Sequence, residues 1–328
     1  VTVFIIRRLI QSTLTLFVTS LLVFLAVYAI GNPIDVLIDP AADQIEFERA
    51  MKALGLDRPI WDQYIIFLTN ALQGDVGRSF VFNTPAIDLI LLRLPATLEL
   101  AITALILANV LGIPLGLYAG LKPESVAGRS VMAGSILGFS LPGFWVKVSL
   151  IMLFAVELDW LPAGGRGETA TFLGITSSLF TVDGLRHIIL PATGLSLFTM
   201  ALVIRLTSAG VRETLPMDFI KFARAKGLRE SRVISVHVLK NILIPIVTVV
   251  GLEFGGLVAF TVITESIFSW PGMGKLLIDS INFLDRPVIV AYIVLVATMF
   301  IGINLVVDLV YAVLDPRVRL SDAGGAGT

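Results

Sequence analysis

The residues able to do chemistry are few, and they sit in unusual places. A carboxylate, Glu253, falls in the middle of a long apolar run, with Lys147, Glu265, Asn304 and Asp308 nearer the ends of others. A charge at the centre of a membrane helix costs roughly 2.5–3.5 kcal/mol on insertion scales, so such a residue is a candidate for lining a substrate or ion path. The same carboxyl can pack between helices in a protonated or hydrogen-bonded form, and both readings of Glu253 stay open. Glu265 and Asp308 read as structural, close enough to the interfaces for water or a backbone group to satisfy them. His187 opens a span and His237 lies in a polar segment, and both read as polar boundary residues. The absence of cysteine removes disulfides, thiolate metal sites and Cys nucleophiles, and two distant histidines argue against a His-rich metal centre.

The other concentration of polar chemistry is the basic segment 212–232, running on to Pro245. Pro216 or Asp218 can open a helix there. Phe219, Ile220, Phe222 and Ala223 give it an apolar side, Lys221, Arg224 and Lys226 decorate the rest, and Gly227 stops it. A second helix is expected from Ser231 as N-cap, through Val233, Ile234, Val236 and Leu239, straight into the next span. The segment is therefore a short knob joined rigidly to a membrane helix. A basic amphipathic helix can lie on anionic lipid or serve as a peg for a soluble partner, and composition does not choose. The chain has no Gly-x-x-x-x-Gly-Lys-[Ser/Thr] loop; Gly272-Met-Gly-Lys-Leu lacks both the first glycine and the Ser/Thr, so no nucleotide site is expected in this chain.

The elements that must position these residues are membrane spans. A chain that is 56% hydrophobic and 15% charged is more apolar than soluble domains, with about 45–50% and about 25%. Runs of about 20 apolar residues occur at 9–30, 97–119, 131–156, 187–210, 242–268 and 288–313. The first is too long in its apolar core for a signal h-region and is expected to be retained. Lys and Arg concentrate in Arg7–Arg8, Lys122, Arg129, Arg205–Lys240 and Arg317–Arg319, which predicts a cytoplasmic location for both termini and for the 212–232 segment. Between the first two spans, Asp43 reads as an N-cap for a helix over 44–54 with Gly55 as its left-handed stop. Pro59 opens a second helix whose Tyr64, Ile65, Phe67, Leu68 and Leu72 form an apolar face, and Gly74 ends it. The 31–93 loop is thus expected to be a small external helical cap, and 157–186, rich in glycine at 163–167, an irregular one. Glycine and proline within or beside spans (Gly112, Pro114, Gly138, Pro142, Gly143, Pro191, Gly194, Gly251, Gly255, Gly256) fit either close helix packing or a moving pathway.

The run Phe222-Ala-Arg-Ala-Lys-Gly227 followed by Leu243-Ile-Pro245 resembles the "EAA" signature of permease subunits of binding-protein-dependent ABC importers, in the dipeptide, oligopeptide and nickel class. The leading Glu of the general signature is absent, and the Gly-to-Pro spacing is five residues longer; both departures suit the peptide class. The resemblance extends over nearly the whole chain, through Arg7-Arg8-Leu9, Leu54–Ile60, Gly74–Phe80, Arg93–Leu100, Leu161-Pro-Ala163, His187–Ala192, Phe268–Gly274, Asn304–Tyr311 and Leu314–Arg317. Gly31-Asn-Pro-Ile-Asp35 departs from the Pro-Gly-Asp-Pro more usual in the class.

The resemblance implies an all-α, six-span type I importer permease without catalytic residues or cofactor of its own. It implies residues 1–30 as tail and first span, 31–93 as cap, 94–315 as a five-span core carrying the cytoplasmic segment 211–241, and 316–328 as a tail. It further implies a bacterial or archaeal plasma-membrane location and assembly with a second homologous permease, two cytosolic ATPases that hold ATP and Mg, and an extracytoplasmic binding protein. Membrane lipid is the remaining partner and nucleic acid is not one. Helix 217–228 would be the coupling helix, with Asp218, Phe219, Ile220, Phe222, Ala223, Arg224, Ala225, Lys226, Gly227 and Leu228 seated on an ATPase. A proton-coupled secondary transporter using Glu253 is the alternative.

Overall fold

The structure, a computed structural model, describes residues 2–30, 34, 44–53 and 55–314, without the side chains of 2–9, 28–30 and 308–314. Asp43, Leu54, the Gly31–Asp35 turn apart from Ile34, the tail from 315 and the side chains of Arg7, Arg8 and Asp308 therefore lie outside the described residues. In chain order the elements are α1 (Thr2–Ile30), α2 (Gln44–Ala53), α3 (Ile60–Ala71), α4 (Ala86–Leu121), α5 (Val126–Ser140) and α6 (Gly143–Ile151), the last continued by a π-turn over Met152–Glu157. A hairpin of β1 (Ala170–Phe172) and β2 (Ile175–Ser177) follows, then a 3-10 turn (Ser178–Phe180), α7 (Val182–Thr214) and α8 (Asp218–Ala225). A turn at Glu230–Arg232 and a π-segment at Val233–Val238 lead into α9 (Leu239–Ile267), before α10 (Met273–Asn282) and α11 (Arg286–Leu314).

Among the described residues, five helical segments are long and apolar enough to cross a bilayer, and α5 with α6 passes the same test only as a pair bent by 105°. The continuous span expected over 131–156 is thus a broken one. The cause is local: Leu141 precedes Pro142, a position pushed out of the helical region by the proline ring, and it adopts φ −77, ψ 138. The segment 157–186, expected to be irregular, is also more ordered than that. Ala170 pairs with Ser177 and Phe172 with Ile175, around a turn in which Leu173 and Gly174 both take positive φ.

The chain divides into two compact units, one of Val1–Leu98 with Ser269–Ile301, the other of Glu99–Phe268 with Gly302–Thr328. In the first unit, Gly55 ends α2 at φ 67 and Gly74 closes the turn after α3 at φ 89, as their positions predict. Helix α3 is laid against α1. Tyr64 is buried, its hydroxyl 3.0 Å from Ser20 Oγ and its ring edge-on to Phe24. Phe67 joins Val27, Ile289 and Val290 in an apolar cluster. Ile65 and Leu72, expected on the same face, point outward. Two stretches that carried the family resemblance meet here: the Trp270 indole donates to the Ala96 carbonyl at 2.9 Å, and the Met273 amide donates to Thr97 Oγ1 at 2.9 Å. That bond fixes the glycine turn at 272–274 in a structural role. The buried Asp285 carboxylate accepts from Ser79 Oγ and from the Phe80 amide at 3.0 Å.

In the second unit, α4 and α7 run parallel with their backbones in close approach along Gly112, Gly116 and Gly120, spaced as in small-xxx-small membrane packing. A Cβ on Gly116 would stand 2.6 Å from the Ile204 carbonyl oxygen, and one on Gly120 2.7 Å from Val211 Cβ. These glycines serve packing, whereas Gly138 and Gly256 have open space where a Cβ would go. Gly116→Val is expected to destabilise the bundle by more than the usual ~1–3 kcal/mol of overpacking, because backbone is what it strikes. The yield of monodisperse protein after detergent extraction should collapse for Gly116→Val and hold for Gly256→Ala.

Candidate functional site

The polar segment after α7 is built as a self-contained elbow. Helix α8 starts at Asp218 with Met217 as its N-cap and no side-chain cap, so Pro216 stands in the preceding turn. Asp218 in its first turn and Arg224 in its last complement the helix dipole. At the far end Gly227 takes φ 75. Its amide bonds the Arg224 carbonyl at 2.9 Å, and the Leu228 amide bonds that of Ala223 at 3.3 Å. This paired closure is a Schellman motif, which requires the left-handed residue that glycine supplies.

The four apolar residues of α8 divide between two faces. Ile220 and Ala223 are buried with Val211, Val233, Val238, Ile242 and Ile246. Phe219 and Phe222 point the other way, 43% and 62% exposed, and Lys226 Nζ sits 4.5 Å above the Phe222 ring. Sequence reading placed all four on one side; the helical period instead pairs 220 with 223 and 219 with 222. The elbow thus grips its own chain with aliphatic groups and presents aromatic ones.

The connection to α9 is stiff. Helical structure is continuous from Glu230 to Ile267, beginning with Arg229 as N-cap, so Ser231 lies inside the first turn and does not cap it. The π-segment brings Val233 and Val238 to the same buried side despite their spacing of five. Arg224 closes the elbow by reaching across the Gly227 turn to Glu230, with Nη2–Oε1 at 2.5 Å and Nε–Oε2 at 3.1 Å. Hydrogen bonding to this guanidinium holds the Glu230 carboxyl below its ordinary 4.5. A lowered folded-state pKa contributes stability that is complete above the unfolded value and lost as pH falls through the folded one. The elbow should therefore resist proteolysis equally at pH 6 and pH 8 and loosen only in acid below the ordinary glutamate range. Glu230→Gln should remove that acid step from a limited-proteolysis titration, by a small amount because the pair is exposed.

Of the charges within apolar helices, Glu253 is half-buried on α9, and no hydrogen bond or ion pair engages it among the described residues. Glu265 is fully buried and engaged by a partner. Lys147, expected near the end of a span, is buried close to the break in one. His187 Nδ1 lies 2.8 Å from the Asp183 carbonyl oxygen, one turn back on α7. The structure does not bring Glu253 together with the elbow residues in any bonded cluster. Sequence reading missed Glu99, whose carboxylate accepts from Arg166, Ser178 Oγ and, at 3.0 Å, the Ser178 amide. Arg166 is 67 residues and Ser178 79 residues away, and a glutamate at the edge of an apolar run gave no sign of either.

A bundle with five helices long and apolar enough to cross a bilayer, a sharply bent helix pair and a polar elbow has the architecture of an integral-membrane protein. The chain belongs to the binding-protein-dependent transport system inner membrane component family, matched over residues 112–320, with the N-terminal membrane-component family of the same systems matched over 1–101. It is 40% identical to the di/tripeptide transport system permease protein DppB of Pseudomonas aeruginosa, covering 96% of this chain and 98% of that one. It is 38% identical to the glutathione transport system permease protein GsiC of Escherichia coli strain K12, with the same coverage. Among solved structures, an inward-facing MetNI methionine ABC transporter shares the fold, with TM-score 0.51, 15% identity and coverage of 70% of this chain and 97% of that one. The chain is thus a transmembrane permease subunit of a binding-protein-dependent ABC importer, and this assignment gives the proton-coupled alternative no support.

Proposed function

We propose that the chain forms, with a second homologous permease, the pathway by which di- or oligopeptides, or a related solute such as glutathione, enter the cell. An extracytoplasmic binding protein delivers the solute, and two cytosolic ATPases holding ATP and Mg supply the work. This chain contributes neither catalysis nor a cofactor. Both termini and the α8 elbow face the cytoplasm, in keeping with the Lys and Arg distribution. Residues 217–228 couple the chain to an ATPase, with Phe219 and Phe222 as anchors, Lys226 beside them, and Asp218, Arg224, Ala225, Gly227 and Leu228 shaping the peg. Closure of the ATPases drags the elbow and hence α9, and the pathway changes sides by rigid-body motion. Nucleotide drives this only through its different affinity for the two states.

The observation that carries this reading is the pair of phenylalanines held outward on a polar elbow whose other face is anchored in the core. Such rings are unfavourable in water and favourable in a partner's groove. Glu253 remains a residue we assign to the pathway, on the ground that its carboxylate is half-buried within a span. The test is uptake of labelled alanyl-alanine, trialanine and glutathione by a strain deleted for this chain and complemented with it. Uptake restored by the chain and abolished by an inactive ATPase partner supports the proposal. Uptake that ignores the ATPase and collapses with the proton gradient refutes it.

A further inference from the structure

The most unusual charge in the second unit is unused by the coupling reading. Lys147 lies one turn after the break between α5 and α6 and is only 6% exposed. Its stem packs into the gap left by Gly194 of α7, where an added Cβ would stand 2.7 Å from Lys147 Cγ. Gly194 is about 18 Å along α7 from its first residue, at ~1.5 Å per residue, well inside the apolar layer. From there the side chain runs back toward the start of α6, with Nζ 3.8 Å from where a Cβ of Gly143 would be. Among the described residues no carboxylate or carbonyl engages this ammonium.

The helix end it approaches is also unsatisfied. Pro142 is the N-cap and makes no side-chain cap bond. Among the described residues, the Val146 amide donates to the Pro142 carbonyl at 3.2 Å, and those of Gly143, Phe144 and Trp145 find no acceptor. A second cation flanks the break from the other side: the Arg205 guanidinium lies 4.5 Å over the ring of Phe139 in the last turn of α5, with its Nε buried and unbonded. Free amides and the positive end of a helix dipole form a ready anion site. Non-helical backbone at membrane depth is tolerated where it is enclosed by protein or lines a water-filled cavity, and half-helix N-termini in transporters are suited to anionic substrate groups.

We propose that the broken third crossing is an anion site, in which the Lys147 ammonium and the free amides of Gly143, Phe144 and Trp145 receive the carboxylate of the transported solute. This rests on the importer reading above and adds to it which end of the solute this permease holds. A static acidic partner from the second permease would satisfy the same charges, but it would lock the break that the pathway has to open. The solute is therefore the occupant we assign.

The test uses the complete transporter with wild-type chain, Lys147→Met and Lys147→Arg, in the three-solute uptake assay. Lys147→Met should lower uptake by at least about tenfold, as for truncating one partner of a buried charge pair, while Lys147→Arg stays within about threefold. Membrane abundance and copurification of the ATPases should remain near wild type for both. Wild-type uptake by Lys147→Met overturns the site and leaves the importer reading intact. A wild-type complex that imports none of the three solutes overturns both. Should Lys147→Met fail to accumulate, a photoreactive dipeptide on the wild-type complex decides. Labelling within 141–147 supports the site, and labelling elsewhere overturns it, as does a crosslink from that stretch to an acidic residue of the second permease.

Discussion

Replacing Phe219 and Phe222 together by alanine is expected to abolish ATP-driven uptake while leaving the permease folded and in the membrane. Both rings are largely exposed, so their removal takes little from the chain's own core. Truncating a buried aromatic anchor at an interface commonly costs 2 kcal/mol or more, about a thirtyfold loss of association for one residue and more for two. Ile220→Ala should behave differently. That side chain is fully buried in the cluster beneath the elbow, and its truncation should cost about 2–5 kcal/mol of local stability, appearing as protease sensitivity of 212–232 before any loss of docking. Gly227→Pro gives a third signature. Proline is locked near φ −65°, whereas this residue stands at φ 75 and donates its amide to Arg224, so the Schellman closure cannot form and the peg is misaimed. Copurification of the ATPases with the permease, beside uptake and stimulated ATP hydrolysis, separates the three. Retained ATPase copurification in the double phenylalanine variant would exclude these rings as the anchors.

What could be read from the sequence was what neighbours in the chain decide. Gly55, Gly74 and Gly227 stop or turn the chain where they stand because each needs positive φ, and Pro59 precedes the first turn of α3 because a residue without an amide hydrogen suits that place. The break at Leu141-Pro142 was equally local, and the pre-proline rule contained it; hydropathy summed over 131–156 hid it, since apolar residues continue through the bend. The hairpin over 170–177 was also signalled, by Thr171, Phe172, Ile175 and Thr176 around Gly174, but a glycine-rich lead-in at 163–167 drew the whole stretch toward irregular structure. Facing was harder. Whether Phe222 or Ala223 turns inward depends on where Val233 and Val238 arrive, and the π-segment that sets this has no sequence rule of comparable strength. The same limit hid the broken-span amides beside Lys147, because they become available only once the bend is known.

Glu99→Ala is expected to destabilise the second unit strongly, and to act without touching coupling. The carboxylate side chain is 5% exposed and that of Arg166 19%. Glu99 ties its stretch of α4 to the glycine-rich segment through Arg166 and to the turn before α7 through Ser178. Removing one partner of a buried ion pair typically costs about 3–5 kcal/mol, because the remaining charge keeps its desolvation cost and loses its counter-charge. For a unit of this size that is a fall on the order of 10 °C in apparent unfolding temperature. Arg166→Ala should cost less, since Glu99 keeps two donors from Ser178. The double variant should be milder than the sum of the two, because the stranded charge has gone, and a double-mutant cycle measures the difference. Glu99 and Gly120 are about 32 Å apart along α4, and Gly120 packs on Val211 next to the elbow, so the cluster and the elbow occupy opposite ends of the same pair of helices. ATP hydrolysis stimulated by the binding protein, expressed per folded transporter, should therefore be unchanged at a temperature where Glu99→Ala is still folded. An unfolding temperature equal to wild type would remove the cluster as the clasp of this unit, and a loss of stimulation in folded protein would move it into the transport cycle itself.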